Sequence, residues 1–328
     1  MADKTLFNHL LNGEFDSCNA YIEEALHGGD HLVSFLSEML YAAASIKGVK
    51  NEDFHPIIVM NCIKNIIGDN RQSPSKILLS YCIEICKDRE IIDYNKQIND
   101  QSSNEISNSS VFVGALEDAI QSADWEAVYK IMPKIYFVSD RSRSIVDTIA
   151  DLGFQDIEEN GLMIFHLLRA FNFKQKKSHV WTYASCLINK LKGRQLPKPS
   201  PKGKLKPDDI LESITSYSAI GTIVNFAAMS RVWEGEYVRL RSYKREISSW
   251  LDENFSSSIM IDHISKQKGN SLKNNFVDIA EKIISKNSSK NTISRDIITL
   301  DALRYLKNKV GFHAFNFQIS HLLKNENR

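Results

Sequence analysis

Apolar residues recur at three- and four-residue intervals through almost every long segment of this chain. That spacing places apolar side chains on one face of an α-helix, whereas a half-buried strand needs alternation with a period of two. No segment combines such alternation with the short turns that join strands in a hairpin. The sequence therefore predicts an all-α fold of about a dozen or more helices, as a multi-helix array or a bundle of helical hairpins.

Capping residues set the expected ends of two helices. Asp30 is the predicted N-cap of a helix that leaves through Gly48, since glycine adopts the left-handed conformation readily. Ser73 and Pro74 supply an N-cap and a first-turn proline for the next long helix. The remaining helices are expected near residues 14–27, 57–68, 111–122, 124–137, 142–152, 159–172, 178–192, 208–231, 234–254, 273–285, 294–309 and 312–324.

Two polar segments interrupt the helical pattern. Residues 97–110 contain only Ile98 and Ile106 as isolated apolar residues, which predicts a loop or linker. Residues 194–207, the Pro/Lys-rich loop, hold four of the seven prolines and five basic residues, a composition typical of an extended and mobile surface segment. The predicted organisation is an N-terminal helical unit at 1–96, a polar linker at 97–110 and a C-terminal helical unit at 111–328.

The charge of the chain is nearly balanced. Lysine and arginine number 41 against 40 aspartate and glutamate residues, so no overall field attracts nucleic acid or an anionic membrane. The basic and aromatic segment at 236–250 also carries Glu236 and Glu246, which predicts an ion-paired helix face. These features argue against a nucleic-acid-binding protein.

Neither a membrane span nor a secretory signal is predicted. No uncharged apolar run approaches the roughly 18 residues that a spanning helix needs, and the N-terminal segment has Asp3 but no apolar core followed by small residues. The five cysteines are odd in number, form no Cys-x-x-Cys pair and fall on apolar helix faces. We therefore expect a cytoplasmic protein with reduced, buried thiols.

Histidines supply the candidate site, because their side chain can act as acid, base or metal ligand near neutral pH. His55 precedes a proline at the start of an apolar helix, where the helix dipole favours the neutral ring, and its role is either catalytic or that of a cap. His179 is followed by Trp181 and Tyr183 on a polar, aromatic helix that suits a pocket wall. Both histidines are candidate catalytic residues.

The other histidines of apolar segments have weaker claims. His166 is flanked by large apolar residues, so a hydrogen-bonded core position competes with a ligand contact. His313 is framed by phenylalanines, a pattern typical of a core. The predicted substrate pocket combines the two catalytic candidates with His31, His166, Trp181 and Tyr183.

Two Glu-x-x-His motifs, Glu24 to His27 and Glu52 to His55, are candidates for a metal site. This spacing occurs in the di-metal carboxylate sites of four-helix bundles. The additional carboxylates would be Glu38 and Glu84. A glycine pair ends the first helix after His27, and Pro56 keeps His55 at a helix start, so neither motif lies mid-helix. We assign no metal site, and the chain lacks nucleotide-loop, nucleophile-elbow and zinc motifs.

Three segments resemble the histidine-bearing helices of questin oxidase-like proteins. They are residues 30–48, 53–66 and 165–191, and the most specific element is His55-Pro56 followed by an apolar helix. That family is α-helical and includes NADPH-dependent enzymes that open ring ketones by oxygen insertion. The resemblance implies an oxidoreductase that uses NADPH on a medium-sized apolar or aromatic ketone, with His55 or His179 polarising or deprotonating the substrate.

A non-catalytic helical scaffold that presents a surface to a protein partner is the alternative. In this hypothesis the histidines are hydrogen-bonding core residues. The chain then binds a protein partner, whereas the enzyme hypothesis requires a small apolar molecule. The two hypotheses differ in geometry. An enzyme requires the histidines to surround one cavity, whereas a scaffold leaves them dispersed among the helices.

Overall fold

The computed structural model describes residues 5–48, 54–105, 112–216, 219–256, 275–286, 289–311 and 315–324. Within these ranges the chain forms seventeen α-helices and no sheet, and Ile46 and Ile91 form an isolated antiparallel bridge. The all-α prediction is therefore confirmed. No helix in the described ranges is both long and apolar enough to cross a membrane.

The helices follow one another with mostly short connections. The first six are α1 (Leu6–Leu11), α2 (Cys18–Leu26), α3 (Gly29–Ala44), α4 (Pro56–Ile67), α5 (Lys76–Cys86) and α6 (Tyr94–Glu105). The next five are α7 (Val113–Gln121), α8 (Trp125–Val138), α9 (Ser144–Gly153), α10 (Leu162–Phe173) and α11 (Val180–Leu191). The last six are α12 (Pro207–Ile210), α13 (Ile220–Glu234), α14 (Leu240–Phe255), α15 (Phe276–Ser285), α16 (Lys290–Val310) and α17 (Asn316–Lys324).

Helix α4 lies at the centre of the molecule. Eleven of its twelve residues are buried, as expected for a helix that is apolar on every side. It packs against α3, α10 and α16. A single cluster of buried apolar residues includes side chains from both sides of the predicted linker, so the proposed division at 97–110 does not separate two cores.

The linker prediction is wrong for residues 97–105, which form the end of α6. The segment is polar except for Ile98, and this one side chain is 1% exposed. Helix α6 packs against α11, and the buried Ile98 supplies an apolar contact that the polar composition of the segment does not predict. Residues 106–110 lie outside the described ranges.

The long helix expected at 208–231 is divided. Helix α12 ends at Ile210, a 3₁₀ turn covers Ser213–Ser216, and α13 begins at Ile220. The Ser213 hydroxyl donates to the Ile210 carbonyl at 3.0 Å, and the Thr215 hydroxyl donates to the Glu212 carbonyl at 2.8 Å. Such local side-chain bonds compete with helical backbone bonds and explain the break.

Two predicted caps are shifted by a few residues. Ser75, not Ser73, caps α5, because its hydroxyl accepts a hydrogen bond from the Leu78 N–H at 3.1 Å. Helix α3 begins at Gly29, which places Asp30 in its first turn, where a carboxylate favours the helix dipole. All five cysteines are buried free thiols, as predicted.

The Pro/Lys-rich loop lies against α14 and is held there. The carboxylates of Glu246 and Asp252 accept hydrogen bonds of 2.8–3.1 Å from the backbone N–H groups of Ser200, Lys204 and Leu205. The composition predicted mobility, but these acidic residues of α14 supply partners for an otherwise irregular backbone. The loop is therefore a fixed part of the surface.

Candidate functional site

The predicted histidines do not surround one cavity. His31 is exposed in the first turn of α3, and His55 caps α4. His166 is buried in the core, whereas His179 lies in an open cleft before α11. His313 lies outside the described residues. Each histidine therefore has its own surroundings and its own physical role.

His55 acts as a helix cap. Its Nδ1 accepts a hydrogen bond from the Ile57 N–H at 3.3 Å, and its Nε2 lies 3.7 Å from the Cys186 Sγ. Burial lowers the pKa of His55 to about 3, and the charges of Arg89 and Lys190 act in the same direction. The neutral ring that the sequence suggested is present, and it stabilises the N-terminus of α4.

His166 belongs to a sealed polar cluster. It is 2% exposed, and its Nδ1 lies 2.8 Å from the Asn61 Nδ2. The Cys62 Sγ lies 3.9 Å from its Nε2. Burial lowers the pKa of His166 to about 3, so the ring is neutral and Nδ1 can accept the amide hydrogen of Asn61. This is the hydrogen-bonded core histidine that the sequence offered as an alternative.

A buried ion-pair network is part of the same core. Asp301 is 1% exposed, accepts a 2.6 Å hydrogen bond from Arg231 and a 3.0 Å bond from Asn65, and lies 3.4 Å from Arg304. Arg304 also binds the Asp69 carboxylate. Burial opposes ionisation of Asp301, but the charges of Arg231 and Arg304 and the hydrogen bonds from Arg231 and Asn65 together outweigh it and hold the pKa below its usual value. The network links α4, α13 and α16.

Lys64 is a buried titratable group on α4 with an unusual environment. Burial lowers the pKa of its ammonium group to about 7, and the charge of Arg169 adds to the effect. Its Nζ lies 5.0 Å from the centre of the Phe173 ring, a cation–π distance. Lys64 does not line the cleft that contains His179.

The cleft that contains His179, named here the Tyr41 cleft, has a volume of about 520 Å³. Its walls come from α1, α3, α6 and the turn before α11. The lining residues are Thr5, Phe7, Glu38, Tyr41, Asp93, Asn95, Lys96, Asn99, Asp100, Lys176, Ser178 and His179. The volume is in the range of ligand pockets, which is about 300–1,000 Å³.

Tyr41 forms the base of this cleft and is only 6% exposed. The His179 ring stacks on it with centroids 4.1 Å apart, and Phe7 meets it edge-on at 4.7 Å. The Tyr41 hydroxyl accepts a hydrogen bond from the Asn95 amide at 2.7 Å and lies 3.1 Å from the Thr182 hydroxyl. One phenol therefore connects α3, α6 and α11.

Both aromatic titratable groups in the cleft are neutral at pH 7. Burial raises the pKa of Tyr41 to about 12, and the nearby Asp93 carboxylate also raises it. Burial lowers the pKa of His179 to about 4, with further lowering by the charges of Lys176 and Lys174. The base of the cleft thus offers a phenol and an uncharged imidazole.

Hydrogen-bond acceptors on the cleft walls are held in place. The Glu38 carboxylate accepts a bond from the Phe7 N–H at 3.0 Å, and the Asp93 carboxylate accepts one from the Lys96 N–H at 3.0 Å. The Asn95 amide donates to Tyr41, while its own Oδ1 is buried and has no hydrogen-bond partner within the described structure. An unmatched buried acceptor is uncommon and requires an explanation.

Comparisons with protein-family models, with curated proteins and with solved structures return no match. The resemblance to questin oxidase-like proteins therefore stays a prediction.

The two predicted aromatic substrate residues lie outside the cleft. Trp181 is half-buried, with its ring centre 5.2 Å from that of Tyr136. Tyr183 is buried, with its ring centre 5.2 Å from that of Phe171. Both follow His179 on α11, but they face the helices that pack against it. Trp181 and Tyr183 are close to His179 in the sequence, but they do not line the cleft.

Sequence reasoning missed Tyr41 and Asn95, and it considered Glu38 only as a metal ligand. The available signal was on α3, where Glu38 and Tyr41 interrupt an otherwise apolar helix three residues apart and so share a face. Asn95 lay one position inside the predicted N-terminal unit, beside a segment that was predicted to be a loop. Its contact with Tyr41 spans 54 residues of sequence.

Within the described ranges, the two Glu-x-x-His motifs and the additional carboxylates do not come together as a di-metal site. His27 is the C-cap of α2, and Glu38 is engaged with the Phe7 N–H. Glu84 pairs with Lys87, and Glu52 lies outside the described residues. No group of three histidine, cysteine, aspartate or glutamate side chains in the described part of the chain is arranged to hold a metal ion.

Proposed function

We propose that this chain binds a small polar molecule in the Tyr41 cleft. The observation that carries the proposal is the fixed arrangement of polar groups around Tyr41. Its hydroxyl joins side chains of α6 and α11, and His179 covers its ring. A cleft whose groups are already oriented loses less conformational freedom on binding than one built from free side chains.

The size and polarity of the cleft define its ligand further. A volume of about 520 Å³ suits a molecule of metabolite size. Five of the lining residues carry a carboxylate or an ammonium group, namely Glu38, Asp93, Lys96, Asp100 and Lys176. A ligand that satisfies such a lining is more polar than the apolar ketone expected from the sequence.

Binding is tested by ligand-observed NMR with a set of small aromatic fragments that includes cations, anions and neutral compounds. We expect His179→Gln to abolish or weaken the signal of the bound fragments, because His179 is half-buried in the cleft wall. His31→Gln is the matched control, since His31 is exposed outside the cleft. Equal loss or equal retention of binding in both variants contradicts the proposal.

The oxidoreductase activity stays a separate prediction. His179, one of the two candidate catalytic residues, is a neutral imidazole in the cleft and can accept a proton. His55 is engaged as a helix cap and does not line the cleft. The test is NADPH consumption with an aromatic ketone by the purified protein. Activity that His179→Gln removes and His31→Gln preserves would support an enzyme.

A scaffold that binds a protein partner is the second candidate, and the Pro/Lys-rich loop favours it. Four of its lysines are exposed, and none forms an ion pair among the described residues: Lys198, Lys202, Lys204 and Lys206. Gly203 lies so close to α14 that an added Cβ would approach the Ser248 backbone to 2.3 Å. The lysines therefore extend from a fixed backbone toward solvent, which suits an acidic segment of a partner protein.

This second candidate is tested by fluorescence anisotropy with a labelled polyglutamate peptide. Lys202→Glu combined with Lys204→Glu should remove binding through charge repulsion. The control is Lys130→Glu, which reverses the charge of a lysine on α8, outside the loop sequence. Failure of the peptide to bind at physiological salt, or equal weakening by the control, rejects this interface.

A further inference from the structure

The Tyr41 cleft contains an excess of fixed hydrogen-bond acceptors. The carboxylates of Glu38 and Asp93 are each oriented by one backbone N–H, and a carboxylate can accept further bonds. Both residues line the cleft, so a ligand that donates hydrogen bonds can use the remaining acceptor capacity of these two carboxylates.

The donors in the cleft are less well ordered. Its two ammonium groups belong to Lys96 and Lys176, both of which are exposed and sit on long flexible side chains. Fixing such a chain against an anionic ligand costs conformational entropy. Oriented acceptors therefore have the advantage over mobile donors in selecting the ligand.

The balance of charge acts in the same direction. Three carboxylates line the cleft against two ammonium groups. His179 and Tyr41 carry no charge at pH 7, so neither adds a cation that would attract an anion. Beside Glu38 and Asp93, a positive group of a ligand is accordingly favoured over a negative one, whereas Lys174 and Lys176 disfavour a positive group beside His179.

We propose that the Tyr41 cleft binds an organic amine as its ammonium ion. The N–H groups of the ammonium ion donate to the carboxylates near Tyr41, namely those of Glu38 and Asp93, and the apolar body of the amine lies beside His179 and Phe7. This inference rests on the proposed function, because it names the ligand class of the same cleft. A neutral alcohol, which also donates a hydrogen bond, is the competing class.

The test compares three molecules of similar shape by isothermal titration calorimetry at pH 7. They are 2-phenylethylamine, 2-phenylethanol and 3-phenylpropanoate, which end in an ammonium, a hydroxyl and a carboxylate group. We expect the amine to bind at least about tenfold more tightly than the alcohol, because charge-assisted hydrogen bonds are stronger. The carboxylate should bind more weakly than both.

Two variants test whether the preference for the amine arises from the cleft. Glu38→Gln keeps an oxygen for the Phe7 N–H but removes the charge, and it should weaken amine binding about tenfold while leaving the alcohol unchanged. Glu126→Gln, which removes an exposed carboxylate on α8, is the control and should change neither. Amine binding that is equal in the wild type and Glu38→Gln overturns the inference.

The outcomes separate the ligand class from the site. If the alcohol or the carboxylate binds most tightly and His179→Gln removes that binding, the amine inference is wrong and the proposed cleft stands. If none of the three compounds binds at millimolar concentration, the amine inference is wrong. If the wider fragment set also shows no binding that depends on His179, the proposed function fails with it.

Discussion

The Tyr41 cleft and the core around His166 contain similar chemistry in opposite settings. Each has a neutral histidine whose pKa is lowered mainly by burial, and each has hydrogen-bonded polar side chains contributed by several helices. The core cluster is sealed by apolar residues, whereas the cleft opens to solvent. A perturbed histidine pKa therefore reports burial in both places, and access to solvent is what distinguishes a candidate site.

Among the substitutions that compare the core with the cleft, Asp301→Asn should change the free energy of unfolding most. The substitution leaves Arg231 and Arg304 without their buried counter-charge, which should lower the free energy of unfolding by about 3–5 kcal/mol. Chemical denaturation measures the change. Asp140→Asn removes an exposed partner of Lys177 and should leave the denaturation midpoint unchanged. A midpoint shift no larger for Asp301→Asn than for Asp140→Asn would show that the core network is not structural.

The second largest effect is a loss of folding stability at low pH caused by the buried His166. The unfolded state takes up protons on His166 as the pH falls below its ordinary pKa of 6.5, whereas the folded state does so only near 3, so stability is lost as the pH falls through this window. Between pH 7 and 5 the loss attributable to His166 is about 2 kcal/mol. Denaturation of the wild type and His166→Gln at both pH values measures it. Parallel loss of stability in the two proteins would contradict a neutral, buried His166.

A smaller difference in stability is expected between variants of two buried tyrosines, Tyr243 in the core and Tyr41 in the cleft. Tyr243 is fully buried and donates a 3.2 Å hydrogen bond to the Asp147 carbonyl, so Tyr243→Phe leaves an acceptor inside the core and should cost about 1–3 kcal/mol. Tyr41→Phe should cost about 1 kcal/mol, since water in the cleft can replace the hydroxyl as a partner for Asn95. Thermal and chemical denaturation compare the two. Equal costs would mean that the cleft is as dry as the core.

Much of the fold was predictable because apolar periodicity is a local signal. Helices such as α4 and α10 bury most of their residues, and their apolar runs are visible without tertiary information. Helix α6 was missed because it is held by Ile98 and by its contact with α11, which no local pattern contains. The break before α13 was missed because hydroxyl bonds of Ser213 and Thr215 depend on local geometry.

The site was less accessible to sequence reasoning. His179 was selected from its helix, but its partner Tyr41 lies on α3, and the Tyr41 hydroxyl meets Thr182 across 141 residues of sequence. The flanking residues already offered a cap role for His55 and a core role for His166, but they left a site role open for both, and only the packing of the fold decides between these roles. Histidine spacing alone therefore could not separate a cap and a core residue from a residue of the cleft.

Backbone amide shifts during a titration with 2-phenylethylamine test the central claim most directly. In ¹⁵N-labelled protein we expect concentration-dependent shifts at Tyr41, Asn95 and His179, and none around His166 and Asp301, because only the first group borders an open cleft. Shifts centred on the core cluster would contradict the assignment of the ligand site to this cleft, and the absence of any shift around Tyr41 would contradict amine binding there.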